Sequence, residues 1–344
     1  MSSSLLSMGS YGCIYYPSID KKKKYISKLQ IKNHTSFNEI NISNIIKTIK
    51  NYHKYFAIIQ SSKDVDIKNI DNNVFSECTP IQKRHYKSLV ISSIKYIPNY
   101  NLDDYYLNND SIHLFLNAYL KGYLQILYIL NLLNKKKISH YDLHGGNIII
   151  NKYTESPILI DFGLAVRVNN IKYLKRHFYV YAPECRWWCL EIHLCCYITK
   201  YHANHLNKII NINELKNVVD EIYVTNYNAI KNYISDELYN CLIDRGKQFI
   251  ELFKNKTYKE TIEILISYYK KWDIFAISIM HLAFLFKYIK NNIYNNDFLE
   301  NLVELLISNC SPFPGDRYDY KTTYSKLNNI LKNKSIKEYI LHFK

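Results

Sequence analysis

The sequence predicts an α+β chain in two parts. Residues 1–97 form a small β-rich part with one main helix, and residues 98–344 form a larger helical part. Three observations carry this. Short β-type runs separated by turn residues fill the first part; a long apolar run at helical spacing follows Ser111; and helix-type patterns dominate from Glu191 onward.

In the first part, Leu5-Leu6 leads into Gly9-Ser10-Tyr11-Gly12 and then Cys13-Ile14-Tyr15-Tyr16, which reads as strand, glycine turn, strand. A turn at Pro17–Asp20 and the run Lys21–Lys24 precede a third strand, Tyr25–Ile31. Ser36 to Ile49 places Phe37, Ile40, Ile45 and Ile49 close to helical spacing. Phe56 to Ile59 and Ser88 to Tyr96 read as further strands, and the polar stretch from Ser61 to Pro80 reads as a loop.

In the second part, Ser111 is placed to cap a helix running to about Lys136. Its second half, Tyr123 to Leu133, is apolar nearly all round and calls for burial. Ile148–Ile150 and Ile158–Ile160, joined through Glu155-Ser156-Pro157, predict a hairpin. Thr257 with Glu260 forms a capping box ahead of Ile262, Ile264 and Leu265. Trp272 to Phe286 reads as a buried helix, and no internal repeat is visible.

Composition narrows the function classes. Hydrophobic residues make up 48% of the chain, ample for a packed core, and 8 Gly with 7 Pro leave no room for long low-complexity linkers. The 34 tyrosines, with abundant Lys, Ile and Asn, look like A/T-rich codon bias. A formal net charge of +15 is the one argument for nucleic-acid binding. Because the lysines are scattered, with only Lys21–Lys24 and Lys135–Lys137 forming short runs, a solvated surface is the simpler reading. The 8 cysteines show no regular disulfide spacing, which points to a reducing compartment. MSSSLLSMGS has no basic segment and no long apolar stretch, so no signal peptide is expected. The apolar run from Ile274 to Phe286 is too short to span a bilayer. A soluble, intracellular, monomeric protein is the resulting expectation.

The chemistry concentrates between Ser139 and Gly163. Asp142 is followed five positions later by Asn147, and Asp161-Phe162-Gly163 begins nineteen residues beyond Asp142. Two carboxylates and an amide suit an oxygen-seeking cation and an acceptor hydroxyl. In this setting the chain resembles the protein kinases. Ser7-Met8-Gly9-Ser10-Tyr11-Gly12-Cys13-Ile14 is similar to their glycine-rich loop, with Ser7 at the place of the first glycine. Lys28, fourteen residues after Ile14, stands where the family grips the nucleotide's α- and β-phosphates, and Glu39 is the partner the resemblance implies for it. His140 to Asn147 resembles the catalytic loop: Asp142 as proton acceptor, Asn147 and Asp161 as metal ligands. Tyr181-Ala182-Pro183-Glu184 resembles the close of the activation segment, with Arg317 as the implied buried partner of Glu184. Asp273 matches the helix aspartate that anchors the catalytic loop.

The resemblance implies a bilobal protein-kinase-like fold and ATP-dependent phosphoryl transfer to protein hydroxyls of the Ser/Thr type. Its cofactors would be ATP and Mg²⁺, with Mn²⁺ as an alternative metal. A nucleotide-binding scaffold without activity and a small-molecule kinase are the competing readings. Tyr141 stands where many kinases have arginine, and Leu164 to Tyr181 contains Tyr173, Tyr179 and Tyr181 but no Ser or Thr. Activation-segment phosphorylation is therefore not expected to be required. His144 replaces a lysine of Ser/Thr kinases and makes Asp-Leu-His similar to loops of aminoglycoside and choline kinases. His177 stands at a usual threonine position.

Between Glu184 and Asp273 lie 88 residues, a long helical insert at about 186–270. At its start Cys185, Cys189 and His193 recur every fourth residue; no C-x-x-C pair accompanies them, and packed helix cysteines are the simpler reading than zinc. The insert, the divergent glycine-rich loop, the short N-terminus and the composition are together similar to protein kinases of large nucleocytoplasmic DNA viruses. That similarity implies a host cytoplasm or a virion as the location.

Overall fold

The computed structural model of the chain describes residues 3–9, 12–82, 88–168, 176–225, 231, 234–289 and 297–332. It is a mixed α/β protein, with a five-stranded antiparallel sheet in its N-terminal region and a mostly helical C-terminal part. Two compact units are present: Met1–Tyr100 with Asn147–Ala165, and Asn101–Gly146 with Val166–Lys344.

The chain begins β1 (Ser4–Gly9), β2 (Gly12–Tyr16), β3 (Tyr25–Ile31), α1 (His34–Ile46), β4 (Ile59–Asp66), α2 (Asn72–Glu77), α3 (Thr79–Gln82), β5 (Ser88–Lys95) and β6 (Asn99–Asn101). It continues through α4 (Leu102–Leu107), α5 (Ile112–Lys135), β7 (Ile138–Ser139), β8 (Ile148–Asn151), β9 (Pro157–Leu159) and β10 (Val166–Arg167). The remaining described helices are α6 (Leu190–Tyr201), α7 (Ile212–Thr225), α8 (Asp236–Glu251), α9 (Tyr258–Ser267), α10 (Trp272–Ile289), α11 (Asp297–Asn309) and α12 (Tyr320–Lys332).

In the first unit the sheet runs β1-β2-β3-β5-β4. Side chains alternate across it. Leu29 and Ile31 of β3 join Cys13, Tyr15, Leu89 and Ile91 on one face, covered by Ile70, Val74, Cys78 and Ile81. Each fully buried aliphatic side chain here contributes about 1.5–3 kcal/mol of transfer free energy. Lys28 and Gln30 take the other face, where both reach Glu39 of α1. Helix α1 starts at a capping box: Asn33 accepts from the Ser36 amide and the Ser36 hydroxyl accepts from the Asn33 amide, each at 3.0 Å.

Two sequence expectations change in this unit. The polar stretch Ser61 to Pro80 is not a loop. It completes β4 up to Asp66 and then forms α2 and α3. Strand β4 is at the sheet edge with most side chains exposed, so it carries Lys and Asp and lacks the apolar alternation that marks a strand. The cysteines are not all reduced either: Cys13 and Cys78, 65 residues apart, form a disulfide with a Cα–Cα distance of 5.9 Å. Its second half lies in that same misread stretch. Phe56 joins the unit by a single bridge to Leu159, and the predicted hairpin is present as β8 and β9, pairing Ile148 with Leu159 and Ile150 with Pro157.

In the second unit Ser111 caps α5, accepting from the Leu114 amide at 3.3 Å. Helix α5 is buried on most of its circumference and packs on α10 through satisfied hydroxyls. Tyr119 donates to the His281 carbonyl at 2.9 Å, and Tyr123 lies 2.9 Å from the Ser278 hydroxyl. The described part of the 186–270 insert is helical, with α6 against α9 and α7 against α8. The capping box of Thr257 and Glu260 starts α9. The apolar helix is longer than its sequence signal. Among the described residues, Tyr269–Ile289 is the one stretch long and apolar enough to cross a membrane, and most of it is buried within the protein.

Candidate functional site

Strands β1 and β2 pair on either side of the glycine segment. Gly9 pairs with Gly12, Met8 with Cys13 and Ser7 with Ile14. A Cβ on Gly12 would lie 2.1 Å from the Leu29 carbonyl oxygen, so only glycine fits there. Ser10 and Tyr11 lie outside the described residues. One pairing further along, Ile14 is opposite Lys28.

Lys28 Nζ donates to both Glu39 carboxylate oxygens, at 3.0 and 2.9 Å, and to Asp161 Oδ1 at 3.0 Å. Burial works against the ammonium charge, but the two carboxylates outweigh it and hold the Lys28 pKa above its ordinary value. Burial likewise pushes the Glu39 carboxyl up, against the pull of Lys28. Gln30 supplies a further donor to Glu39 at 3.3 Å.

The β8–β9 hairpin determines where the two expected metal ligands fall. Asn147 immediately precedes β8 and Asp161 follows β9, and the Ile160 amide donates to the Asn147 carbonyl at 3.0 Å. The hairpin thus returns both to its open end. Asp161 has φ 58°, a left-handed conformation that Asp tolerates better than most residues. The following turn is held to α1, since Asn38 Nδ2 donates to the carbonyls of Gly163 at 2.9 Å and Ala165 at 2.8 Å. A Cβ on Gly163 would come 2.8 Å from Thr35 Cγ2, which explains the glycine. Phe162 is buried edge-on to Phe56, ring centroids 6.0 Å apart.

An oxygen-seeking divalent cation fits Asn147 and Asp161 in kind. They supply one amide and one carboxylate that is half exposed. No group of three or more His, Cys, Asp or Glu able to hold a metal occurs among the described residues. Water or ligand oxygens would complete such a coordination shell.

Asp142 belongs to the second unit, and its loop is organised by Asp273 at the start of α10. The buried Asp273 carboxylate accepts from Ser139 Oγ at 3.0 Å, the His140 amide at 2.8 Å and the Tyr141 amide at 3.0 Å. Burial raises the Asp273 pKa, opposed by these donors and by His140. Tyr141 has φ 70°, a strained value for a bulky residue that costs about 1–3 kcal/mol. Its ring is buried among Phe178, Trp188 and Trp272, with centroids 5.8, 5.2 and 6.4 Å away. His144 Nδ1 accepts from the Gly146 amide at 3.1 Å, which places the proton of the neutral ring on Nε2, 4.0 Å from Asp142 Oδ2.

One expected pairing is wrong. Arg317 does not meet Glu184, which is exposed. Its guanidinium binds Glu191 in the first turn of α6, and both side chains are fully buried. Glu191 lies inside a helix whose surroundings are apolar, whereas Glu184 precedes that helix. Cys189, Cys195 and Cys196 are buried in the same region, and burial pushes the Cys196 thiol up to about 12. Sequence reasoning missed Asn38, Gln30 and Glu191. Gln30 shares the strand face of Lys28 at i+2, a signal that was available.

No protein-family model matches the chain, and no curated protein matches it.

Proposed function

We propose that this chain transfers the γ-phosphoryl group of ATP to a protein hydroxyl, of the Ser/Thr type, and that its two units are the lobes of a bilobal kinase-like fold. The observation that carries the reading is the Lys28–Glu39–Asp161 constellation, in which the Lys28 ammonium binds Glu39 and also Asp161, 133 positions from Lys28. A cation held this firmly, beside a half-exposed carboxylate, suits a triphosphate with its metal.

In the proposed reaction the acceptor oxygen attacks the γ-phosphorus and the bond to the β–γ bridging oxygen breaks, releasing ADP. Asp142 takes the hydroxyl proton. Lys28 holds the α- and β-phosphates, and Glu39 and Gln30 fix Lys28. Asn147 and Asp161 would hold Mg²⁺, which neutralises phosphate charge when bound. Support for the acceptor loop comes from Asp273, which fixes the backbone on the N-terminal side of Asp142. The aromatic burial of Tyr141 supports a loop set without activation-segment phosphorylation.

Incubation with γ-labelled ATP, Mg²⁺ and a generic basic protein is the test. Labelled protein is expected, and Asp161→Asn and Asp142→Asn should each lose the label while keeping the wild-type melting temperature. Full transfer by Asp161→Asn would refute the metal role. His144 favours a small-molecule acceptor as the second reading; transfer to a hydroxylated metabolite with none to protein would select it.

A further inference from the structure

We propose that Cys13–Cys78 is a thiol–disulfide exchange site that sets how firmly strands β1 and β2 are held beside Lys28, and so regulates nucleotide binding. The inference rests on the nucleotide reading given above. Its starting point is the location of this cross-link in the first unit. Six other cysteines are free, and only this pair is bonded among the described residues.

Cys13 directly follows Gly12 and directly precedes Ile14, which pairs with Lys28. It therefore sits between the turn expected to cover phosphates and the cation expected to bind them. Cys78 sits between the short helices α2 and α3. These helices pack on β1 and β2 and attach to the hairpin at three points. Besides the disulfide, Tyr15 Oη donates to the Val74 carbonyl at 2.6 Å and Thr79 Oγ1 donates to Met8 Sδ at 3.0 Å. Strand β1 is mostly exposed and is an edge strand, so beyond its ladder with β2 the 72–82 segment is the support that reaches it. The covalent link is the one attachment of the three that thiol–disulfide exchange can remove.

Exchange needs access, because both cysteines are buried. The residues flanking Cys78, Glu77 and Thr79, are exposed, and local opening of helices of six and four residues would bring the bond to solvent. A dithiol is the co-reactant. One of its thiolates attacks Cys78 Sγ, breaking the Cys13–Cys78 bond and releasing the Cys13 thiolate, which takes up a proton. The second thiol of the reagent then displaces Cys78 from the mixed disulfide and closes a cyclic disulfide. Two electrons and two protons pass from the dithiol to the protein. Cys13 and Cys78 end as thiols.

The test uses the full chain equilibrated with oxidised or reduced dithiothreitol, then denatured and alkylated. Oxidised protein should label at six cysteines and reduced protein at all eight. Binding of a fluorescent ATP analogue with Mg²⁺ should weaken about tenfold on reduction, as expected if β1 and β2 are then in the binding arrangement about a tenth of the time. Reoxidation should restore it. A Cys13→Ser/Cys78→Ser double variant should bind as the reduced protein does and ignore dithiothreitol. Eight labelled cysteines after oxidation would overturn the proposal, as would equal affinity in both states. Equal affinity leaves the roles of Lys28 and Asp161 standing, whereas no binding in either state removes those roles along with the proposal.

Discussion

Arg317 and Glu191, 126 residues apart in the sequence, form an ion pair from which solvent is wholly excluded. Such a pair is costly to break from one side, because the remaining charge stays buried. Glu191→Ala is therefore expected to cost about 3–5 kcal/mol, read from urea unfolding. Glu184→Ala at the exposed site should stay within about 0.5 kcal/mol. Comparable losses from both would return Glu184 to the role the sequence suggested.

Lys28 gathers two carboxylates, so its removal has two separable effects. Lys28→Met should lower phosphoryl transfer by about two to three orders of magnitude, the scale seen when one preorganised charge-stabilising group is lost. It should also let Glu39 take up a proton, since burial already pushes its carboxyl upward. Glu39→Gln in the Lys28→Met background should then restore stability without restoring transfer. Thermal melts and initial rates on the wild type and these two variants settle both points.

Asp273 accepts two backbone amides and a hydroxyl at the loop that precedes Asp142. Asp273→Ala leaves the His140 and Tyr141 amides without that acceptor, at a cost of about 1–3 kcal/mol for each buried orphan. Hydrogen exchange should accelerate first at these two amides. Unchanged protection there would mean the loop is held by something else.

Acid should destabilise the second unit through His281. Burial lowers its pKa from 6.5 to about 3. The neutral ring donates from Nδ1 to the Ile277 carbonyl at 2.7 Å and lies 3.2 Å from the Tyr106 hydroxyl at Nε2. Below about 6.5 the unfolded chain binds a proton that the native ring refuses. Its stabilising contribution is therefore complete above 6.5 and shrinks as pH falls toward 3. The loss is at most about 1.4 kcal/mol per pH unit for one group. His193, lowered to about 3 by burial, adds a second share. Urea midpoints between about pH 7.5 and about pH 5 should fall accordingly, and less steeply in His281→Asn.

How much of this was legible in the sequence differs from element to element for physical reasons. Strand β3, helix α5 and the β8–β9 hairpin announce themselves because burial imposes a period that the sequence displays. Strand β4 does not, because an edge strand with exposed side chains obeys no such period. Lys28 and Glu39 could be named together because strand and helix are neighbours in the chain. Asp161 joining them depends on a tertiary return that only motif spacing suggested. The Cys13–Cys78 bond and the Arg317–Glu191 pair were hidden, since a long-range partner is chosen by packing and leaves no local trace. Glu184 drew attention because it ends a familiar tetrapeptide, whereas Glu191 is buried.

The first unit is discontinuous in sequence, and Asn147–Ala165 returns to complete it. A fragment cut after the opening hundred residues would keep Lys28 and Glu39 but forfeit Asp161, leaving the ammonium with one counter-charge instead of two. Dissecting this protein by truncation would therefore produce halves that are each chemically incomplete. A rearranged gene that joins the hairpin segment directly behind β6 would keep Lys28, Glu39 and Asp161 on one fragment.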